Sequence, residues 1–178
     1  MILDSLLQFD ASNNLAQIAG TYNSTNIIDL GGPGLPVLAN LQGARDIGIG
    51  DDPAMKLLVQ VTTTFTSGGA GTLAVNLQGN TDNGSGAPTA TWTTWYTTPT
   101  YALATLVVGA RLMDMDMPRP PAGVAIPRFL RLTYVIGGAT MTAGTVEALI
   151  VLDRMDQNYE STSNATMGGY PAGIYIAN

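Results

Sequence analysis

Chemistry in this chain has few places to start, and the first is Met113-Asp114-Met115-Asp116-Met117. Carboxylates at i and i+2 fall on one side of a strand, where Asp114 and Asp116 could share a Ca²⁺. A Ca²⁺ site wants six or more oxygens, and no EF-hand spacing surrounds the pair. Solvated loop residues beside a proline run are the better reading, and no metal is expected. Asp51-Asp52 ahead of Pro53 suits a turn or cap. A glycosidase would need two carboxyl groups flanking a sugar bond, with Trp92, Trp95 and Tyr96 to stack the ring. Glutamate, however, occurs only at 147 and 160, so the pair would have to be assembled from scattered Asp. The aromatic trio reads more simply as core and edge packing. Gly31-Gly32-Pro33-Gly34 and Gly68-Gly69-Ala70-Gly71 lack the GxxxxGK[ST] pattern of a phosphate loop and read as turns.

Absences exclude more than these residues suggest. The chain has no histidine and no cysteine. Without histidine it lacks the commonest general base and transition-metal ligand. Without cysteine it has no disulfide, thiolate metal site or thiol nucleophile. No Ser-His-Asp or Cys-His arrangement can be built, so neither an enzyme nor a cofactor is expected. Only 11% of residues are charged, against roughly 25% in an average soluble domain. Interface cores are depleted of Lys, Glu and Asp, so much of this surface is expected to be covered by neighbours. The net charge is −6, with one lysine, Lys56, and arginines that never cluster. Neither a phosphate-tracking patch nor adhesion to an anionic membrane is expected. The first ten residues lack a basic region and carry Asp4 and Asp10, unlike a signal peptide. No run of about 18 apolar residues exists to span a bilayer.

The elements that would hold these residues read as strands. Met55 to Phe65 alternates Met55, Leu57, Val59 and Val61 against Lys56, Gln60, Thr62 and Thr64. Leu73, Val75 and Leu77 alternate in the next segment, and the intervening Ser67 to Gly71 predicts a hairpin with one buried face. Thr91 to Thr98 and Tyr101 to Leu112 predict two further strands. Prolines at 118, 120, 121 and 127 predict a long excursion between Met113 and Pro127. The last strong pair is Arg128 to Ile136 and Gly144 to Asp153. Seven or eight strands, with no helix longer than two turns, predict an all-β antiparallel β-sandwich, and the long connections at 31–53 and 113–127 favour a jelly-roll type over an immunoglobulin-like one. The expected division is an extended N-terminal arm at 1–24, a sandwich at 25–156 and a C-terminal docking tail at 157–178.

Pro127-Arg128-Phe129-Leu130-Arg131-Leu132-Thr133-Tyr134 continues through Gly137-Gly138 and Thr142-Ala143-Gly144-Thr145-Val146 to Leu152-Asp153. This order of features resembles the jelly-roll cement, or decoration, proteins of short-tailed bacteriophage capsids. The opening Met-Ile-Leu-Asp and Ile28-Asp29-Leu30-Gly31 are similar to the same family. The resemblance implies a protein made in the host cytoplasm that binds the outer surface of the assembled head. There it bridges neighbouring major capsid proteins, as a homo-oligomer with a dimer favoured over a trimer. It brings no catalytic residues. Candidate contacts are apolar or proline-rich positions without a core of their own: Leu3 and Leu6 in the arm, Met117, Pro118, Arg119, Pro120 and Pro121 in the loop, and Tyr170, Ile174 and Tyr175 in the tail. Rival expectations are a glycan-binding sandwich using Trp92, Trp95 and Tyr96, a glycosidase using Asp pairs, and a self-assembling jelly-roll coat protein.

Overall fold

In a computed structural model, residues 7–31 and 55–151 are described. They form ten strands: β1 (Gln8–Asn14), β2 (Gly20–Asn23), β3 (Ile28–Asp29), β4 (Lys56–Ser67), β5 (Thr72–Asn80), β6 (Thr93–Thr97), β7 (Tyr101–Ala102), β8 (Arg111–Asp116), β9 (Phe129–Gly137) and β10 (Met141–Val151). One sheet has the order β1-β10-β4-β8. The other has β2-β9-β5-β6, with β3 also pairing β9 and β7 also pairing β5. Every pairing is antiparallel. The innermost pair β5/β6 is followed outward by β4/β8, β2/β9 and β1/β10, as in an antiparallel ribbon wound into two sheets. That winding is the jelly roll, one of the ways an antiparallel sheet manages its edges.

The alternation of apolar residues is what closes the two sheets on each other. Leu57, Val59, Val61 and Phe65 of β4 and Val146, Ala148 and Ile150 of β10 share one core with Leu73, Val75 and Leu77 of β5 and Leu130, Leu132, Tyr134 and Ile136 of β9. A small second cluster, Leu58, Leu149 and Val151, lies on the opposite face of the first sheet.

Three expectations change. First, neither expected pair of consecutive strands is a hairpin: β4 pairs β10 and β8 while β5 pairs β9, β6 and β7, and β9 pairs β2, β3 and β5 while β10 pairs β1 and β4. The glycine-rich connection carries the chain from one sheet to the other, and alternation shows which face a strand buries without showing which strand it pairs with. Second, the arm at 1–24 belongs to the sandwich from Gln8 onward. There β1 is an edge of the first sheet and β2 an edge of the second, and Phe9 is fully buried. Half-buried edge strands tolerate the polar Asn and Ser content that had suggested an arm. Third, Tyr101 to Leu112 is not one strand. After β7 a 3-10 turn at Leu103–Thr105 leads into a crossing segment. Its Leu106 carbonyl accepts from the Phe65 amide and its Ala110 carbonyl from the Val61 amide, handing the chain over to β8. The connection at 31–53, beyond Gly31, and the tail at 157–178 lie outside the described residues.

Among the glycines where a side chain would collide, two bear on the strand pairings. Gly144 has φ +140, and a Cβ there would lie 2.3 Å from the Phe65 ring, so the irregular pairing of β10 with β4 around it depends on a missing side chain. At Gly79 a Cβ would lie 2.6 Å from the Trp95 indole. The register shift between Leu77/Tyr96 and Gln78/Thr94 leaves Trp95 as the extra residue of β6, and both Trp95 and Tyr96 pack against the core.

Candidate functional site

The expected carboxylate pair is on a strand, not in a loop. β8 runs to Asp116 and pairs with β4, placing Asp114 opposite Leu58 and Asp116 opposite Lys56. The regular pleat does put both on one side, but each has its own cation. Lys56 Nζ donates to Asp116 at 2.6 Å, and Arg111 donates to Asp114 at 3.1 Å. Among the described residues no three His, Cys, Asp or Glu side chains are grouped to hold a metal ion.

The densest charge cluster lies elsewhere. Arg128, at the start of β9, donates from Nε and Nη2 to the two carboxylate oxygens of Asp29, at 2.9 and 3.0 Å. Its Nη1 also donates to Asp82 in the loop after β5. The guanidinium stands 4.9 Å from the centre of the Phe129 ring. Hydrogen bonds to Asp29 come first among the causes that push the Arg128 pKa up. At Asp82 desolvation pulls upward, but the Gly84 and Gly86 amides together with Arg128 outweigh it and hold the carboxyl below its ordinary value. This cluster fastens three chain segments together. All three of its charged groups are engaged with one another, which is the arrangement of a structural clamp.

Inside the sandwich, Asp10 is fully buried. It accepts from the Tyr134 hydroxyl at 2.6 Å and from the Thr25 amide at 2.7 Å. Burial first, and the neighbouring Asp10 second, raise the Tyr134 pKa well above its ordinary value. The pair has no exposure to a substrate and ties β1 to β9.

The three aromatics proposed for sugar stacking are not presented as a platform. Trp95 and Tyr96 pack against the core. Trp92 is capped by Arg131, whose guanidinium carbon is 4.1 Å from the ring centre and whose Nε donates to Gln78 at 2.8 Å. Desolvation in this stack lowers the Arg131 pKa.

Among the expected contact residues, Met117 is misplaced: it is 4% exposed and part of the core. Its amide donates to the Met55 carbonyl, which extends the β4/β8 pairing by one step. Arg119 and Pro121 are exposed, while Pro118 and Pro120 are half-buried. Leu3, Leu6, Tyr170, Ile174 and Tyr175 lie outside the described residues.

One feature was legible and overlooked. Residues 83–110 contain no Asp, Glu, Lys or Arg. This run includes the β5–β6 loop beyond Asp82, β6, β7 and the crossing segment to β8, and so borders the second sheet at its β6 edge. It exposes Thr93, Thr94 and Thr97, and at the crossing Val107 (47%) and Val108 (64%). A simple scan for charge-free windows would have found it. No helix among the described residues is long and apolar enough to cross a membrane.

A family model described as Bbp16 matches residues 13–150. No curated protein matches the chain.

Proposed function

The chain belongs to the Bbp16 family, and from that premise we propose that it is a structural cement protein of a phage head. It binds the outer surface of the assembled icosahedral shell and bridges neighbouring major capsid proteins, working as a homo-oligomer, with a dimer at or near two-fold positions. The observation that carries this reading is the charge-free run at 83–110, with its exposed threonines and valines, on a jelly roll in which Asp29, Asp82, Asp114 and Asp116 are held in ion pairs and Asp10 is buried. Binding surfaces lose charge where they are fully covered by a partner. The likeness of residues 127–153 to capsid cement proteins supports the same role.

Its mechanism is linkage. A protein that binds only the closed shell stabilises it by its binding free energy, about 2.7 kcal/mol per site at a free concentration 100 times the dissociation constant. Symmetric repetition multiplies that effect over the head.

The experiment is co-sedimentation of the purified protein with assembled heads and, separately, with unassembled shell subunits. Saturable binding to heads alone is the expected result, and equal binding to free subunits or to neither would sink the proposal. Removing residues 159–178 tests the tail in the same assay; unchanged occupancy would remove it from the contact set.

A further inference from the structure

The charges of the sandwich are segregated toward one end. In the first sheet the row Glu147–Gln60–Arg111 is the last to carry any, and in the second sheet it is the row Gln78–Arg131. Every other charged side chain among the described residues lies on the proline-excursion side of those rows. On the far side four connections cross between the sheets, at 15–19, 68–71, 103–110 and 138–140, and none holds an Asp, Glu, Lys or Arg. They join into one surface with the strand ends between them. The Gln17 carbonyl accepts from the Met141 amide, Ser67 Oγ donates to the Thr140 carbonyl, and Thr64 Oγ1 accepts from the Val108 amide. Ile18 is 66% exposed there, beside exposed Val107 and Val108, and Gly68, Gly69 and Ala70 are exposed at the tip.

The chemistry of this end narrows what can cover it. Without a cation it cannot track phosphates or hold an anionic lipid surface. Its tyrosines, Tyr22 and Tyr101, are half-buried, with their hydroxyls engaged by the Ile18 and Leu112 carbonyls, so neither ring is offered to a sugar. An uncharged protein surface is the partner that matches. We propose that the charge-free end as a whole, four connections drawn from both sheets, is the face that docks on an uncharged patch of the major capsid protein, with the proline excursion turned away. This inference rests on the cement reading and adds the orientation of the molecule on the head. Covering the opposite end would take the Lys56–Asp116 and Arg111–Asp114 pairs out of water, a desolvation that opposes binding. Covering this end removes no charge from water.

The test is co-sedimentation of full-length variants with assembled heads. Ile18→Asp and Ala70→Asp, on two different connections, should each weaken binding about tenfold or more, because each puts an unpaired charge into the covered surface. Ile18→Lys should weaken it as much, since desolvation and not the sign of the charge is what opposes binding. Ala122→Asp, exposed in the proline excursion, should stay within about twofold of the parent, and all four variants should keep the parent's melting temperature, as exposed positions allow. If Ile18→Asp and Ala70→Asp are both silent while the parent binds heads, or if Ala122→Asp loses as much as they do, the orientation is wrong and the cement reading stands. A loss accompanied by dissociation from dimer to monomer in sedimentation would also overturn it, because the end would then meet a second copy of the chain. A parent that binds no heads fails the cement reading itself, and this inference with it.

Discussion

Asp10 is a carboxylate with no exposed surface, and its hydrogen bonds from Tyr134 and Thr25 explain why the fold tolerates it. A buried polar group is costly only when unpaired. Tyr134→Phe keeps the ring and deletes one bond, leaving Asp10 short of a donor, so urea unfolding should show a loss of about 1–3 kcal/mol. The raised Tyr134 pKa has a definite sign. Above pH 10.0 the unfolded chain releases the phenolic proton while the folded one retains it, so stability falls as pH rises past that value. The phenylalanine variant should lose that alkaline slope. Glycine packing is equally local. Gly144→Ala should lower the melting temperature more than Gly79→Ala, because Gly144 combines positive φ with contact to a core ring, whereas a Cβ at Gly79 meets only the partly exposed Trp95. Nothing around Asp10 in the linear sequence marks it as buried; its partners are 15 and 124 residues away.

Between elements, Arg128 is the clamp that holds β3 and the β5–β6 loop to β9. The folded-state pKa of Asp82 is depressed from 3.8. The stabilisation from its pairing is therefore complete above that value and fades as pH falls below it, where the unfolded chain takes up the proton first. Comparing thermal melts of the parent and Asp82→Asn between neutral pH and about pH 3 should show the parent's advantage shrinking at the acid end. A constant difference would show that the carboxylate's charge is not what matters. The strands themselves were largely readable, because period-two alternation in β4, β5, β9 and β10 reports the buried face directly. Their partners were not: β4 and β5 are consecutive, joined by a short glycine turn, and lie in different sheets.

For the whole molecule, the contact proposed through residues 83–110 predicts a characteristic salt response. Binding through an uncharged surface is little affected by screening, so head occupancy should change less than about threefold between 0.05 and 0.5 M salt. Val108→Asp puts a charge on an exposed position and should reduce occupancy by about tenfold or more, since a charge desolvated at an interface without a partner costs upwards of 1.4 kcal/mol. Its melting temperature should match the parent's. Exposed Ile126, in the proline-rich connection between β8 and β9, offers a second position for the same comparison, and unchanged occupancy for both variants would place the contact surface elsewhere.

Composition and periodicity alone determined the all-β class, the jelly-roll expectation and the lack of histidine- or cysteine-based chemistry, because these depend on residue types and on neighbours two positions apart. Only the tertiary structure decided the rest. It drew Gln8–Asn14 and Gly20–Asn23 into the sheets, buried Met117, gave Asp114 and Asp116 separate cations, and turned Trp95 inward over Gly79. Each of those outcomes depends on a contact with a distant strand, and a local pattern carries no information about which distant segment will arrive beside it.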